Sequence, residues 1–87
     1  MEWWQSFFDE ITGQIMFHDE AWQRAEQGCD ALVSLLGLAP GAKILDLACG
    51  PGRFAIPLAQ RGFRVMGLDV SEVYLSQARA KAQERGL

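Results

Sequence analysis

The chain has 87 residues, of which 49% are hydrophobic and 22% charged, and its formal charge is −3. That length holds one small domain or part of one, with the composition of a globular protein. Nothing in it approaches a membrane span, residues 1–10 lack the basic flank of a signal peptide, and two cysteines are too few for a disulfide framework, so the reading is cytoplasmic.

The charge is uneven. Residues 1–42 carry seven acids against one base, Arg24, while residues 43–87 carry seven bases against four acids. A negative total leaves no electrostatic footprint for nucleic acid, and a small-molecule partner is the expectation. Residues 2–15 place Trp3, Trp4, Phe7, Phe8, Ile11 and Ile15 at near-helical spacing, interrupted at Thr12-Gly13. This aromatic face reads as a helix packed on the domain or a lid over a small-molecule site. Its acidic polar side argues against a membrane anchor.

A second helix is expected over residues 20–36, with Asp19 as N-cap and Trp22, Ala25, Cys29, Leu32, Val33 and Leu36 on its inner stripe. Gly28 weakens its middle by about 1 kcal/mol and is a potential break. Gly37 ends it in the left-handed conformation with Leu38 placed for a Schellman contact, and residues 39–42 form a turn. Residues 1–42 are thus a helical extension or lid.

The organising stretch follows. Residues 43–48 read as a buried parallel strand, residues 50–52 as a tight Gly-Pro-Gly turn, and residues 53–61 as a helix shortened or bent by Pro57 and capped by Gly62. A strand over residues 64–69 comes next. Ser71 then caps a helix over residues 72–85 that buries Leu75, Ala78 and Ala82. The order is two helices and then β-α-β-α, an α/β arrangement. A glycine turn after a parallel strand brings bare backbone up to a ligand.

The run ILDLACGPGRFA followed by RVMGLDVS resembles the first two motifs of the class I S-adenosylmethionine-dependent methyltransferases. An acid followed by glycines at alternate positions becomes Asp46, Ala48, Gly50 and Gly52, with Ala48 in the first glycine's place. That exchange is mild provided φ stays negative. The second motif, a strand ending in an acid, becomes residues 67–71 around Asp69. The resemblance implies S-adenosyl-L-methionine as cofactor, bound by Asp46, Ala48, Cys49, Gly50, Gly52, Asp69 and Val70. Asp69 would accept both ribose hydroxyls, Val70 would lie on the adenine, the loop would follow the methionine tail, and Asp46 would accept from the loop or from the tail ammonium. No catalytic side chain is expected, because transfer of the methyl in this family rests on alignment and desolvation.

Each residue also has a plainer reading. Asp46 would cap the turn, Cys49 would be a small loop residue, Gly67 would thin the strand for the cofactor or for packing, and Arg53 would face solvent rather than serve a nearby carboxylate. His18 has no second ligand at metal spacing, so no metal site is expected. A dinucleotide-binding oxidoreductase is the rival enzyme, but its fingerprint requires glycine where this chain has Ala48 and Arg53.

The resemblance also implies a larger doubly wound, mostly parallel Rossmann-like sheet, of which residues 43–87 supply an incomplete, truncated portion. The expectation is therefore an N-terminal piece of a longer enzyme, inactive alone and completed by the remainder of its domain. A non-catalytic binding or scaffold module completed by a partner chain is the alternative.

Overall fold

The computed structural model describes Gly13, Gln14 and residues 16–87. The aromatic stripe expected over residues 2–15 lies outside the described residues, apart from Gly13 and Gln14. Among the described residues, no helix is long and apolar enough to cross a membrane.

Helix α1, Asp19–Leu36, begins one residue earlier than expected. His18, not Asp19, is the N-cap: its backbone is extended and its Nδ1 accepts the Ala21 N–H at 3.3 Å. Asp19 and Glu20 then fall in the first turn, where negative charge suits the helix dipole. Gly28 does not break the helix. A Cβ there would lie 3.2 Å from Cε1 of Phe54, so the glycine lets that ring approach α1 closely. At the other end Gly37 is left-handed at φ 60° and the Leu38 N–H donates to the Val33 carbonyl at 3.1 Å, the expected Schellman closure. The buried positions are Ala21, Ala25 and Cys29. Leu32 and Leu36, expected inside, are exposed although helical spacing keeps them on the stripe of Ala25 and Cys29, because the core that covers this helix reaches only as far as Cys29 and Val33.

Strands β1, Lys43–Leu47, and β2, Arg64–Leu68, pair in parallel from Lys43 opposite Arg64 to Leu47 opposite Leu68. Each is one residue shorter than the sequence suggests. In β1 the cause is Ala48, which turns to φ 57°. The strands are also not buried on both faces. Ile44 and Val65 pack on a core of Cys29, Leu58 and Phe63, while Leu45, Leu47, Met66 and Leu68 on the opposite face remain 48–69% exposed. Among the described residues the core lies on one side of the sheet, so the apolar runs alternate between covered and bare.

Helix α2, Ala55–Gln60, has six residues, starting later than expected because residues 51–54 still belong to the turn. Gly62 at φ 89° closes it, with the Phe63 N–H donating to the Leu58 carbonyl at 3.3 Å. Arg61 fastens α2 to α1. Its guanidinium donates to Asp30 at 2.9 Å, Glu26 at 3.2 Å, and the carbonyls of Glu26 and Pro57 at 3.1 and 2.9 Å.

Helix α3, Glu72–Glu84, starts where Ser71 Oγ accepts the Tyr74 N–H at 3.2 Å, as expected of an N-cap. Its buried anchor is Tyr74, not the Leu75, Ala78 and Ala82 stripe, whose members are half-buried. A Cβ at Gly13 would lie 2.8 Å from Cε1 of Tyr74, so Gly13 permits a close approach to α3; the interruption expected at Thr12-Gly13 lies outside the described residues apart from Gly13.

Candidate functional site

At the C-terminal ends of β1 and β2 the chain folds around a cleft of about 670 Å³. Parallel α/β sheets place ligands at this end, and the volume suits a small organic molecule. Ala48, Cys49 and Gly50 form one wall. The loop of residues 48–52 to which they belong is shaped by three left-handed residues in alternation: Ala48 at φ 57°, Gly50 at 60° and Gly52 at 92°; Gly52 itself lies behind the wall. The proviso attached to Ala48 therefore fails, because alanine occupies a conformation that suits glycine. Gly50 and Gly52 have a second reason to lack side chains. A Cβ at Gly50 would sit 2.9 Å from Cζ of Phe17, and one at Gly52 would sit 2.7 Å from Cγ1 of Ile56.

Asp69 holds this loop in place. Its Oδ2 accepts the Gly50 N–H and its Oδ1 the Ser71 N–H, both at 2.8 Å. The first bond ties the glycine turn to the end of β2; the second makes an Asx turn into α3. This latch is absent from the sequence reading, which assigned contact with the loop to Asp46. A carboxylate offers about four lone-pair sites, so two engaged oxygens still have acceptor capacity toward the cleft. The Cys49 N–H extends the ladder by donating to the Leu68 carbonyl at 2.9 Å.

Asp46 lies in β1 opposite Gly67 and lines the cleft half-buried. Among the described residues, no hydrogen bond reaches its carboxylate. Desolvation pushes its pKa up, Arg53 partly offsets this, and Asp69 adds to it. Gly67 makes room for Cys49: a Cβ there would lie 2.8 Å from the Cys49 sulfur. Cys49 is 6% exposed, and its pKa is raised by burial and then by Asp46 and Asp69, so the thiol stays protonated. Val70, at the rim, is 60% exposed.

Seven residues lining the cleft were not assigned to it from the sequence: Met16, Phe17, Leu47, Arg53, Phe54, Leu68 and Tyr74. Phe17 stands against Gly50 and meets Tyr74 edge-on, with ring centroids 5.4 Å apart. Arg53, expected to face solvent, lines the cleft with its guanidinium 5.1 Å from the Phe54 centroid and 5.6 Å from that of Phe17. Helical spacing gave no signal for these contacts, because they join three separate segments. Among the described residues, no group of three or more His, Cys, Asp or Glu side chains could hold a metal ion.

Comparison with known proteins decides the family. Residues 44–87, half of the chain, match the model of a methyltransferase domain. The chain belongs to the class I S-adenosylmethionine-dependent methyltransferases. The 23S rRNA (uracil(1939)-C(5))-methyltransferase of Ralstonia nicotianae is 47% identical over 55 residues, which is 63% of this chain and 12% of that protein. Magnesium-protoporphyrin O-methyltransferase of Synechocystis is 44% identical over 62 residues, 68% of this chain and 27% of that protein. The chain thus spans well under a third of either relative.

Among solved structures, magnesium protoporphyrin IX methyltransferase of Synechocystis with bound S-adenosylmethionine superposes with a TM-score of 0.63 at 30% identity, covering 92% of this chain and 45% of that one. A Methanococcus maripaludis methyltransferase structure gives 0.76 at 21% identity, covering 92% and 38%, and supports the fold alone. The two-stranded sheet with its helices is accordingly the N-terminal part of a Rossmann-like methyltransferase fold.

Proposed function

We propose that the cleft binds S-adenosyl-L-methionine and that the methyltransferase to which this chain contributes passes its methyl group to a small-molecule acceptor. The observation that carries the reading is the Asp69 latch, a carboxylate at the end of β2 that positions the glycine loop and retains acceptor capacity beside it. On this reading Asp69 accepts the ribose hydroxyls and Val70 lies against the adenine. The backbone of Ala48, Cys49, Gly50 and Gly52 follows the methionine tail, and Asp46 meets the ammonium. A cationic tail group would supply the partner that the half-buried Asp46 carboxylate lacks among the described residues.

The chemistry is an in-line displacement. The acceptor's lone pair forms a bond to the methyl carbon while the carbon–sulfur bond breaks and its electron pair returns to sulfur. These residues contribute by fixing the sulfonium in place and excluding water around it. The apolar lining from Phe17, Leu47 and Leu68 and the net charge of −3 favour a small acceptor over RNA. The rRNA and porphyrin relatives do not choose between these classes, since each is matched over less than a third of its length. A cytoplasmic setting accords with two buried, unpaired cysteines.

Equilibrium dialysis against S-adenosyl-L-methionine and NAD tests the cofactor. Retention of the first alone is expected, and retention of NAD alone would overturn the reading. For the acceptor, transfer of a radiolabelled methyl group to a small-molecule extract is expected, and labelling confined to added rRNA would overturn that part.

A further inference from the structure

We infer that Arg53 is the receptor for the carboxylate of the bound cofactor's amino-acid tail, an assignment that rests on the S-adenosylmethionine reading. Among the described residues, Arg53 is the one cationic side chain lining the cleft, whereas Asp46 and Asp69 supply two carboxylates. The proposed ligand has the complementary set: one anion, the tail carboxylate, against an ammonium, a sulfonium and two ribose hydroxyls. Arg53 is also uncommitted. Arg61 donates to two carboxylates and two carbonyls, while Arg53 donates no hydrogen bond among the described residues.

What positions Arg53 is aromatic contact. The rings of Phe17 and Phe54, 5.6 and 5.1 Å from its guanidinium carbon, restrain the side chain without using its donors. A planar guanidinium so held keeps its N–H fork available for bidentate binding of a carboxylate. Arg53 follows directly on the loop assigned to the methionine tail, and its charge already acts on Asp46. The two side chains together form a receptor for a zwitterion, with Asp46 toward the ammonium and Arg53 toward the carboxylate.

The test is calorimetric titration of the full chain as its host makes it, with S-adenosyl-L-methionine and with its decarboxylated analogue, which keeps the adenosine, sulfonium and amine. Arg53→Met keeps an unbranched stem of similar length and removes the guanidinium that lies over the rings. It should weaken binding of S-adenosylmethionine about ten- to hundredfold and leave the analogue unchanged within twofold. Arg53→Lys should restore part of the loss. Equal losses for both ligands would make Arg53 a structural residue and overturn the inference. No loss for either would also overturn it, and would direct Arg53 to a carboxylate on the methyl acceptor instead. If neither ligand binds the unaltered protein, the cofactor reading itself fails, and that result is distinct from the other two.

Discussion

Replacing Ala48 by glycine should stabilise the fold, the opposite of the usual effect of adding a glycine. Ala48 is the one non-glycine at positive φ among the described residues, at 57°. Its Cβ in the left-handed region costs roughly 1–2 kcal/mol relative to the right-handed one. Glycine relieves that strain but adds about 0.5–1 kcal/mol of entropy to the unfolded chain. Ala48 is exposed, so little packing is lost. The expected net gain is therefore about 0.5–1 kcal/mol. Two residues on, Gly50→Ala reverses the exchange: φ is 60° and the new methyl would meet the Phe17 ring at 2.9 Å. It should cost about 2 kcal/mol or more, strain and overlap together. Urea denaturation followed by circular dichroism reads both. With a slope near 1 kcal/mol/M, Ala48→Gly should raise the midpoint by roughly 0.5–1 M at unchanged slope. A lowered midpoint for Ala48→Gly, or an unchanged one for Gly50→Ala, would refute the assignment of strain to this loop.

Asp46→Asn should separate stability from binding. Burial raises the Asp46 pKa above its ordinary 3.8, so the folded state holds the proton more tightly than the unfolded chain. Stability then falls as pH rises from the unfolded pKa through the folded one. The asparagine variant lacks this loss, and its advantage over the unaltered chain should grow from about pH 3.5 to 7; a constant difference would contradict the assignment. The same variant should bind S-adenosyl-L-methionine at least about tenfold more weakly, since hydrogen bonds to charged groups contribute roughly 1.5–3 kcal/mol. Cys29 and Cys49, buried and with raised pKa values, should react with iodoacetamide far more slowly than a free thiol until urea unfolds the chain. Modification at the rate of a free thiol in the native state would show that the loop is open.

Elements with a local signal were legible in the sequence. Gly37 with Leu38 ends α1 and Ser71 caps α3 because their partners lie within five residues along the chain. The short α2 was expected, but its cause is the turn over residues 51–54; Pro57 falls in the first turn of the helix, where its missing N–H costs no helical bond. The grouping of Asp46, Gly50 and Asp69 around one cleft followed from the two motifs, whereas Gly52 does not line the cleft and packs toward Ile56 and Ala78. Contacts across long separations were not legible: the Asp69–Gly50 bond, the packing of Gly67 on Cys49, and the placing of Arg53 between Phe17 and Phe54. Each depends on the register of β1 with β2 or on how α1 approaches α2, and periodicity encodes neither. Burial was misjudged in the strands for a related reason. An apolar run such as residues 44–48 reports how much surface could be covered, but not whether a layer lies on both faces.

The central claim is that the cofactor sits between the glycine loop and the carboxylate of Asp69. Titration of the ¹⁵N-labelled chain with S-adenosylhomocysteine, followed by amide chemical shifts, tests it most directly. The account predicts that the largest changes fall on Cys49, Gly50, Asp69, Val70 and Ser71. Shifts confined to Leu45 and Met66 on the bare face of the sheet, with the loop amides unmoved, would contradict it.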